Sequence, residues 1–592
     1  MEPVRMVVWD LDETFWRGTL SEGGIEYQEH LHETVIELAQ RGIMSSICSK
    51  NDFQAVKKIL VEKGIWDYFI FPSIDWQAKG LRLKALIEQV QLRPNTVLFL
   101  DDNPMNLAEA EHYVPGIQIG DEKTATHLLA SKLCIGKDDQ KLSRLKQYKL
   151  LEERHKDAAL ASDNVQFLKQ SHIRVQIEYD IGSHLDRAIE LINRTNQLNF
   201  TKRRLSEVSE EAAAELTELL SHHWVQAGLI RVVDNYGDYG FCGFYALSNV
   251  FEGAHLVHFC FSCRILNMGV EQWVYARLGR PPLHVVGDVL ADLKADFVTP
   301  DWISYETNAN VVNLHAAGSK VSLGGITARG GCDLSAITHY FAPLFEHVVG
   351  EFSVVRNGIV FRTDHSLLTA AACRGLTYEE KQVFQSVGYV EADFTTDLTT
   401  GLGPQAIRLL SFLGDAYMPV YRHRSSGARV PISGLPVGGI AALSGERRSR
   451  VADIEAVDSL RDLLEREFEY EGVTGKDLFQ RNVLTIMDAI PDGHIVVVEP
   501  NDSFSKDGTL VEFNPRLRNV NDWLREVMNG RDGLSVARLQ SFVAFEKEAF
   551  SANHFDRMVY FRFFQWLCES VCSTSRNGGI AEQRVAELGR HV

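Results

Sequence analysis

Two aspartates, Asp10 and Asp12, close an apolar run in RMVVWDLDETFWRGT, residues 5–19. The run itself, Met6 to Trp9, reads as a buried parallel strand. Carboxylates at the end of such a strand are electrostatically expensive, and a bound divalent cation is the usual way to offset the cost. The pattern therefore points to a metal-dependent carboxylate nucleophile. Leu11 points the other way along an extended backbone, so Asp10 and Asp12 share a side. One can attack while the other handles the proton. An acidic turn at the surface is the plainer alternative.

Three later stretches present similar chemistry at similar places. The apolar stretch Gly42 to Cys48 ends in Ser49, Lys50 and Asn51; Lys79 lies in SIDWQAKG; and Thr96 to Leu100 delivers Asp101 and Asp102, then Asn103 and Pro104. Each has a neutral reading as well: Ser49 as a helix cap, Lys79 as a solvated lysine, the acidic pair as a turn. Taken in order, the four elements resemble the motifs of the haloacid dehalogenase (HAD) superfamily. The resemblance implies that Asp10 attacks phosphorus, Asp12 acts as acid and base, and Ser49 and Lys79 hold the phosphoryl group. It further implies that Asp10, Asp12, Asp101 and Asp102 hold Mg2+. About three dozen residues separate Thr14 from Ser49 and about thirty separate Ser49 from Lys79, room for one helix and its loops each. No cap domain fits there, and an uncovered site admits a large substrate.

Strands and helices must alternate to place these residues. Residues 1 to about 130 predict strands at Met6–Trp9, Ile43–Cys48, Tyr68–Phe71 and Val97–Leu100, with helices at Glu29–Arg41, Phe53–Lys63 and Leu81–Gln91. That alternation is the pattern of a doubly wound parallel sheet with its site at the strand carboxyl ends. A mixed-charge helix over Lys137 to Lys156 follows as a connector.

The chain has 592 residues, enough for about three or four domains, with 45% hydrophobic and 24% charged residues. A formal charge of -18 argues against a general nucleic-acid or anionic-membrane surface. The nine cysteines lack zinc or disulfide-framework spacing, and no leader or membrane-length apolar run is visible, so a cytoplasmic location is expected.

From about 158 to 300 the chain predicts a helix, a strand at Ile173–Tyr179, and short strands around the turn Asp234 to Gly240. With WDLDET, CSKND and FLDDNP followed by RTNQLNF, GDYG and SCRILNMGVE, the first half is similar to the FkbH-like branch of the HAD superfamily. The resemblance implies a GNAT-like fold after the HAD domain. It also implies a reaction: a glyceryl group is taken from 1,3-bisphosphoglycerate, phosphate is removed, and the unit is loaded onto the phosphopantetheine thiol of an acyl carrier protein in natural-product assembly. Glu13 stands where that family usually has Asn. Of the acyl-CoA pyrophosphate loop, only Arg264 and Gly269 keep their type, so they are the cofactor-binding candidates; a degenerate fold packed on the HAD site is the alternative. Tyr236, Asp238 and Tyr239 are turn residues first. Cys48, beside Ser49 and Lys50, is either a thiolate that carries the glyceryl unit or the last buried residue of a strand.

The last region, 318–592, lies outside that match. It predicts a strand at Val321–Thr327 followed by ARGGCDLSAITHYF, a glycine turn entering a helix. Gly330, Gly331 and Cys332 resemble the Gly, Asp and Ser of SGNH-type hydrolases, where a nucleophile gains from nearby amides. Asn501, at the end of GHIVVVEPND, stands where such folds keep an oxyanion-stabilising Asn, and His554 is the candidate base, with Asp556 or another carboxylate to orient it. The DxxH of that family is absent, since Ser551 lies three before His554. Asp364 and His365 form a rival acid/base pair or a loop. Ser459 resembles a carrier-protein serine, but its Gly/Pro/Ser-rich approach favours the start of an ordinary helix, Ser459 to Phe468.

The expected whole is an α/β chain: 1–136 HAD-like, 137–157 connecting helix, 158–317 GNAT-like α+β, and 318–592 SGNH-like. The expected function is Mg-dependent transfer of a glyceryl or acyl unit from a phosphorylated donor to a thiol or hydroxyl acceptor. The alternative is a phosphatase fused to an SGNH-type hydrolase or O-acyltransferase acting on a sugar or secondary metabolite.

Overall fold

A computed structural model describes residues 2–574, apart from 23, 161–163, 251–252, 294–297, 307–324, 346, 357–358, 362, 405, 433–453, 507–508, 532 and 553. It is an α/β protein with two parallel sheets flanking a mostly antiparallel one. The first contains β1 (Met6–Trp9), β4 (Met44–Ser49), β5 (Ser73–Ile74), β6 (Val97–Leu100) and β7 (Gln118–Gly120), ordered β5-β4-β1-β6-β7 and parallel throughout. A small hairpin, β2 (Trp16–Arg17) with β3 (Glu26–Tyr27), follows β1. Helices α1 (Glu29–Gln40), α2 (Phe53–Glu62), α3 (Lys79–Val90) and α4 (Pro104–Tyr113) make the crossovers.

The residues of β1 explain its central place. Met6 and Val8 pack into one hydrophobic cluster while Val7 and Trp9 pack into another, on opposite faces of the pleat. β6 divides likewise, Val97 and Phe99 against Leu98 and Leu100. Both strands are covered on two sides, which is what an unbroken apolar run requires. Of the strand predicted at Tyr68–Phe71 only a single parallel bridge forms, Phe69 beside Ser45, with Ile70 N–H donating to Ser45 O at 2.9 Å. A single 3-10 turn, Trp66–Tyr68, stands there, and Phe71 takes a left-handed φ of 45° before Pro72, which forbids a continuous strand; pairing resumes at Ser73.

The helix Ser143–Leu160 links the first sheet to the second. Arg144 donates to Gly42 O at 2.8 Å and Lys149 to Phe69 O at 2.6 Å, while Arg154 Nε lies 3.8 Å from Asp234 Oδ2 in the second unit. That unit holds β8 (Ile173–Glu178), β9 (Leu198–Asn199), β10 (Val225–Val233), β11 (Asp238–Val250), β12 (Gly253–Phe261) and β13 (Ile303–Tyr305). Their order is β13-β8-β10-β11-β12-β9, antiparallel except for β13 beside β8.

The third unit is built on β14 (Ile326–Gly330), β15 (Val348–Phe352), β18 (Ile407–Ser411), β22 (His494–Glu499) and β25 (Leu534–Arg538), parallel and ordered β15-β14-β18-β22-β25. Smaller sheets pair β16 (Val354–Arg356) with β17 (Ile359–Phe361), β19 (Pro419–His423) with β20 (Arg429–Pro431) and β21 (Phe468–Val473), and β23 (Ser503–Lys506) with β24 (Thr509–Glu512). Most of the predicted strand Val321–Thr327 lies outside the described residues. Ser459 falls inside the helix Ile454–Glu467, not at its start. Second and third units are joined by buried polar contacts, Tyr245 Oη and His339 Nε2 at 3.0 Å and Arg557 to Tyr179 O at 2.5 Å, and within the third unit Tyr340 Oη donates to Arg557 O at 2.8 Å. One hydrophobic cluster runs from Met6 through Tyr245 to Cys568. Among the described residues no helix is long and apolar enough to cross a membrane.

Candidate active site

Four strand or helix ends converge at the carboxyl edge of the first sheet. β1 runs into Asp10, β6 into Asp101, β4 ends on Ser49, and α3 begins with Lys79. The strand order reverses between β1 and β6, the place where doubly wound sheets hold ligands. Lys79 Nζ lies 2.6 Å from Asp10 Oδ1 and 2.6 Å from Asp101 Oδ2. All three are nearly sealed, at 2%, 5% and 0% exposure. Burial works against the charge on Lys79, but Asp10 and Asp101 outweigh it and hold the amine above the ordinary lysine range. For Asp10, burial dominates over the pull of Lys79, Asp101 adds repulsion, and the carboxyl is pushed up to about 6. Asp102 is raised by burial and then by Asp101.

Carboxylate oxygens of Asp10, Asp101 and Asp102 lie within 4.8 Å of one another. Three carboxylates against one lysine leave an excess of negative charge at a place where Asp10 and Asp101 are sealed and Asp102 is exposed, and all offered donors are hard oxygens. The set fits a divalent cation. Asn103 N–H and Asn106 Nδ2 each donate to Asp101 Oδ1 at 2.9 Å, fixing its second oxygen. Thr14 Oγ1 accepts from Asp102 N–H at 3.0 Å, which ties the two loops together.

Asp12 belongs to a neighbouring group and not to that carboxylate set, which corrects its expected role as a metal ligand through its side chain. Its Oδ1 accepts from Trp16 Nε1 at 2.7 Å and Leu20 N–H at 3.2 Å, and its Oδ2 from Asn51 Nδ2 at 3.1 Å. Asn51 Nδ2 also donates to Ser49 Oγ at 3.2 Å. Ser49 and Asp12 are thus joined through Asn51, to which residue type and spacing assign no role. Thr14, Arg82 and Asn106 likewise act here without a role assigned by type and spacing; the signal for Asn51 is its place two residues after Ser49. Glu13 directly follows Asp12 with a left-handed φ of 56°, and its Oε1 closes the turn by accepting Gly18 N–H at 3.0 Å.

Cys48 does not face this chemistry. It is fully buried, donates to Lys79 O at 4.0 Å, and burial pushes the thiol up to about 12, so the thiolate needed for an acyl carrier is disfavoured. It is a core residue of β4. In the second unit, Arg264 spends Nε on Ser262 Oγ and Nη1 on Tyr239 O, and Gly269 lies under Pro300 and Trp302. That is a pinned loop and not an anion cradle. Asp238 pairs with Arg231, and Tyr239 donates to Asp234 at 2.9 Å.

In the third unit, Cys332 opens the helix after β14, but the expectation for its thiol falls outside the described residues. His554 Nδ1 lies 3.0 Å from Ser551 Oγ, its ring stands 4.1 Å from that of His223, and Asp556 caps the last helix by accepting Met558 N–H at 2.8 Å. Asn501 follows β22 and is 1% exposed, with both amide atoms lacking a hydrogen-bond partner. Asp364 and His365 are sealed in the fold: His365 Nδ1 accepts Leu367 N–H at 3.2 Å, Nε2 lies 3.2 Å from Thr474 Oγ1, and Asp364 O accepts Gly414 N–H at 2.9 Å. These are framework bonds, not an open acid/base pair.

No protein-family profile matches this chain, and no curated protein is significantly similar to it. Parts of it resemble solved structures. A Bacteroides fragilis protein, whose N-terminal part contains a phosphatase domain complexed with Mg, is 21% identical over 23% of this chain and 41% of its own, with a TM-score of 0.21. The cobalt-bound deoxy-D-mannose-octulosonate 8-phosphate phosphatase of Haemophilus influenzae is 16% identical over 19% of this chain and 66% of its own, at 0.17. The corresponding phosphatase of Moraxella catarrhalis, solved with magnesium, phosphate and KDO, is 15% identical over 26% of this chain and 92% of its own, also at 0.17. This chain spans less than two thirds of the first two structures. With so small a share of this chain overlapped, what the site can do is read from its own side chains.

Proposed function

We propose that the first unit is a Mg2+-dependent phosphotransfer site in which Asp10 is the nucleophile. The observation that carries this is Lys79 Nζ held at 2.6 Å from both Asp10 and Asp101, inside a set of three carboxylates with oxygens within 4.8 Å of one another. Asp10, Asp101 and Asp102 would hold the ion. When bound, it supplies positive charge against the phosphoryl oxygens. Asp10 attacks phosphorus and the bond to the leaving oxygen breaks. Asp12 gives that oxygen a proton, then takes one back from the water that releases phosphate. Ser49 and Lys79 orient the phosphoryl group. Trp16, Leu20 and Asn51 keep the Asp12 carboxyl in place.

Its substrate is read from access. Among the described residues, only the hairpin β2–β3 and α1 stand between β1 and β4, so no inserted domain covers the strand ends. This supports a large acceptor: with a phosphorylated three-carbon donor such as 1,3-bisphosphoglycerate, Asp10 would take the 3-phosphoryl group, and the thiol of an acyl carrier protein would attack the C1 carbonyl, its proton leaving with the C1 phosphate as the acyl–oxygen bond breaks. The test incubates the full chain with 1,3-bisphosphoglycerate, Mg2+ and phosphopantetheinylated carrier, then weighs the carrier intact. A glyceryl mass gain that vanishes with Asp10→Asn is expected. Phosphate release alone would reduce the reading to a phosphatase, and neither product would overturn it.

A second reading, a phosphatase fused to an SGNH-type hydrolase or O-acyltransferase acting on a sugar or secondary metabolite, is favoured by Asn501. Its buried amide faces no partner at a parallel strand end, in a sheet whose chain order is 2-1-3-4-5. Ester hydrolysis or acyl transfer lost with both Cys332→Ala and Asn501→Ala is the expected result; indifference to both removes it.

A further inference from the structure

Arg82 lies one turn into α3, three residues after Lys79. A guanidinium has five N–H donors in a rigid fork, and here each has an acceptor. Nε donates to Ser73 Oγ at 3.0 Å, Nη1 to Asp75 O at 2.6 Å and Gln77 O at 3.3 Å, and Nη2 to Ser49 O at 3.0 Å and to Ser73 O. These acceptors belong to three segments: the end of β4, the start of β5, and the loop that leads into Lys79. Ser49 O also accepts Asp75 N–H at 3.2 Å, so the loop is sewn to the strand end twice. The fork's contacts are with main-chain carbonyls and one hydroxyl, not with the carboxylates that surround Lys79.

We infer that Arg82 is a positioning residue that sets the separation between Ser49 and Lys79, so that both meet one phosphoryl group. This rests on the phosphotransfer reading above. Lysine cannot substitute, because an ammonium has three donors on a flexible stem and cannot span acceptors spread around a plane. Displacement of a catalytic group by about 1 Å costs on the order of a hundredfold in rate. Arg82 also lines a groove of about 640 Å³ between α2, α3 and the helix Ser143–Leu160, so a small guanidinium added from solution has a path to the vacated place.

The test uses the full chain with Arg82→Lys and Arg82→Ala. Turnover of acetyl phosphate with Mg2+, acetylation of Lys79 by acetic anhydride read by peptide mass, and far-ultraviolet circular dichroism are measured together. Expected for Arg82→Lys are an unchanged dichroism spectrum, kcat lower by about a hundredfold, and Lys79 labelled several times faster because it has left its two carboxylates. Methylguanidinium is expected to restore kcat in Arg82→Ala and not in Arg82→Lys, which keeps the test alive if the lysine variant folds poorly. Wild-type kcat with Lys79 still protected would overturn the inference, as would loss of kcat without faster labelling. If the wild type turns over no phosphate compound yet labelling still rises in Arg82→Lys, the positioning role stands and the phosphotransfer reading falls.

Discussion

Lys79 holds one positive charge among three carboxylates, and its removal would leave Asp10 and Asp101 facing each other in a sealed space. Breaking a buried pair by deleting one partner costs about 3–5 kcal/mol. Lys79→Met is therefore expected to lower the melting temperature sharply and to abolish turnover. Added Mg2+ should recover more of the melting temperature in the variant than in the wild type, since the ion stabilises by binding the folded carboxylates alone. Thermal unfolding with and without Mg2+ checks both; equal shifts would refute the carboxylate set as the metal site. Asn51→Ala removes a donor shared by Asp12 and Ser49, and a kcat lower by about tenfold with unaltered Mg2+ affinity is expected from steady-state rates and titration calorimetry. Asp10, Ser49, Lys79 and Asp101 were legible because each sits where an element ends, so type and spacing suffice. Asn51 and Arg82 were not, because their work is done through hydrogen bonds to neighbours and carbonyls, which spacing does not display. Cys48 stayed open between two readings for a different reason: all six residues of β4 are buried, so alternation does not tell which face meets the site.

At the level of elements, α3 carries Lys79 on its first residue and Gly80 on its second, and it packs against α4 there. A Cβ at Gly80 would stand 2.4 Å from Tyr113 Cδ2, 2.8 Å from Glu109 Cγ and 3.0 Å from Glu109 O. The carbonyl cannot swing aside, so Gly80→Ala should cost about 1–3 kcal/mol and shift the start of the helix. A lower melting temperature together with a lower kcat is the expected pair of results, and an unchanged kcat would show that Lys79 tolerates movement of its helix. The parallel order of the first sheet was readable from apolar runs alternating with amphipathic stretches. The break at Phe71 was not, since a left-handed residue before proline leaves the apolar pattern of Tyr68 to Phe71 intact while interrupting the pairing.

Across the whole molecule, the buried contacts between second and third units make stability depend on groups far from the proposed site. Glu271 is 3% exposed and burial pushes its carboxyl up to about 7 from 4.5. Its neutral form is the folded one, so its contribution is complete below about pH 4.5 and is lost as pH rises through 7, a swing of about 3 kcal/mol. Glu271→Gln should flatten that part of the profile, as urea midpoints measured between pH 5 and pH 8 would reveal; parallel profiles would contradict it. His339, buried between the units, is lowered by burial to about 3. Its neutral ring favours the fold above pH 6.5, and that support fades as pH falls toward 3.

The bond from Arg557 to Tyr179 spans 378 residues. At about 5–20 residues per second, a ribosome needs on the order of half a minute to supply the later partner. During that interval the nascent second unit presents Tyr179 without the last helix, whose Phe561 packs against its ring. Synthesis of this protein thus carries a window of vulnerability whose length is set by translation speed, and chaperone demand should rise when elongation is slowed.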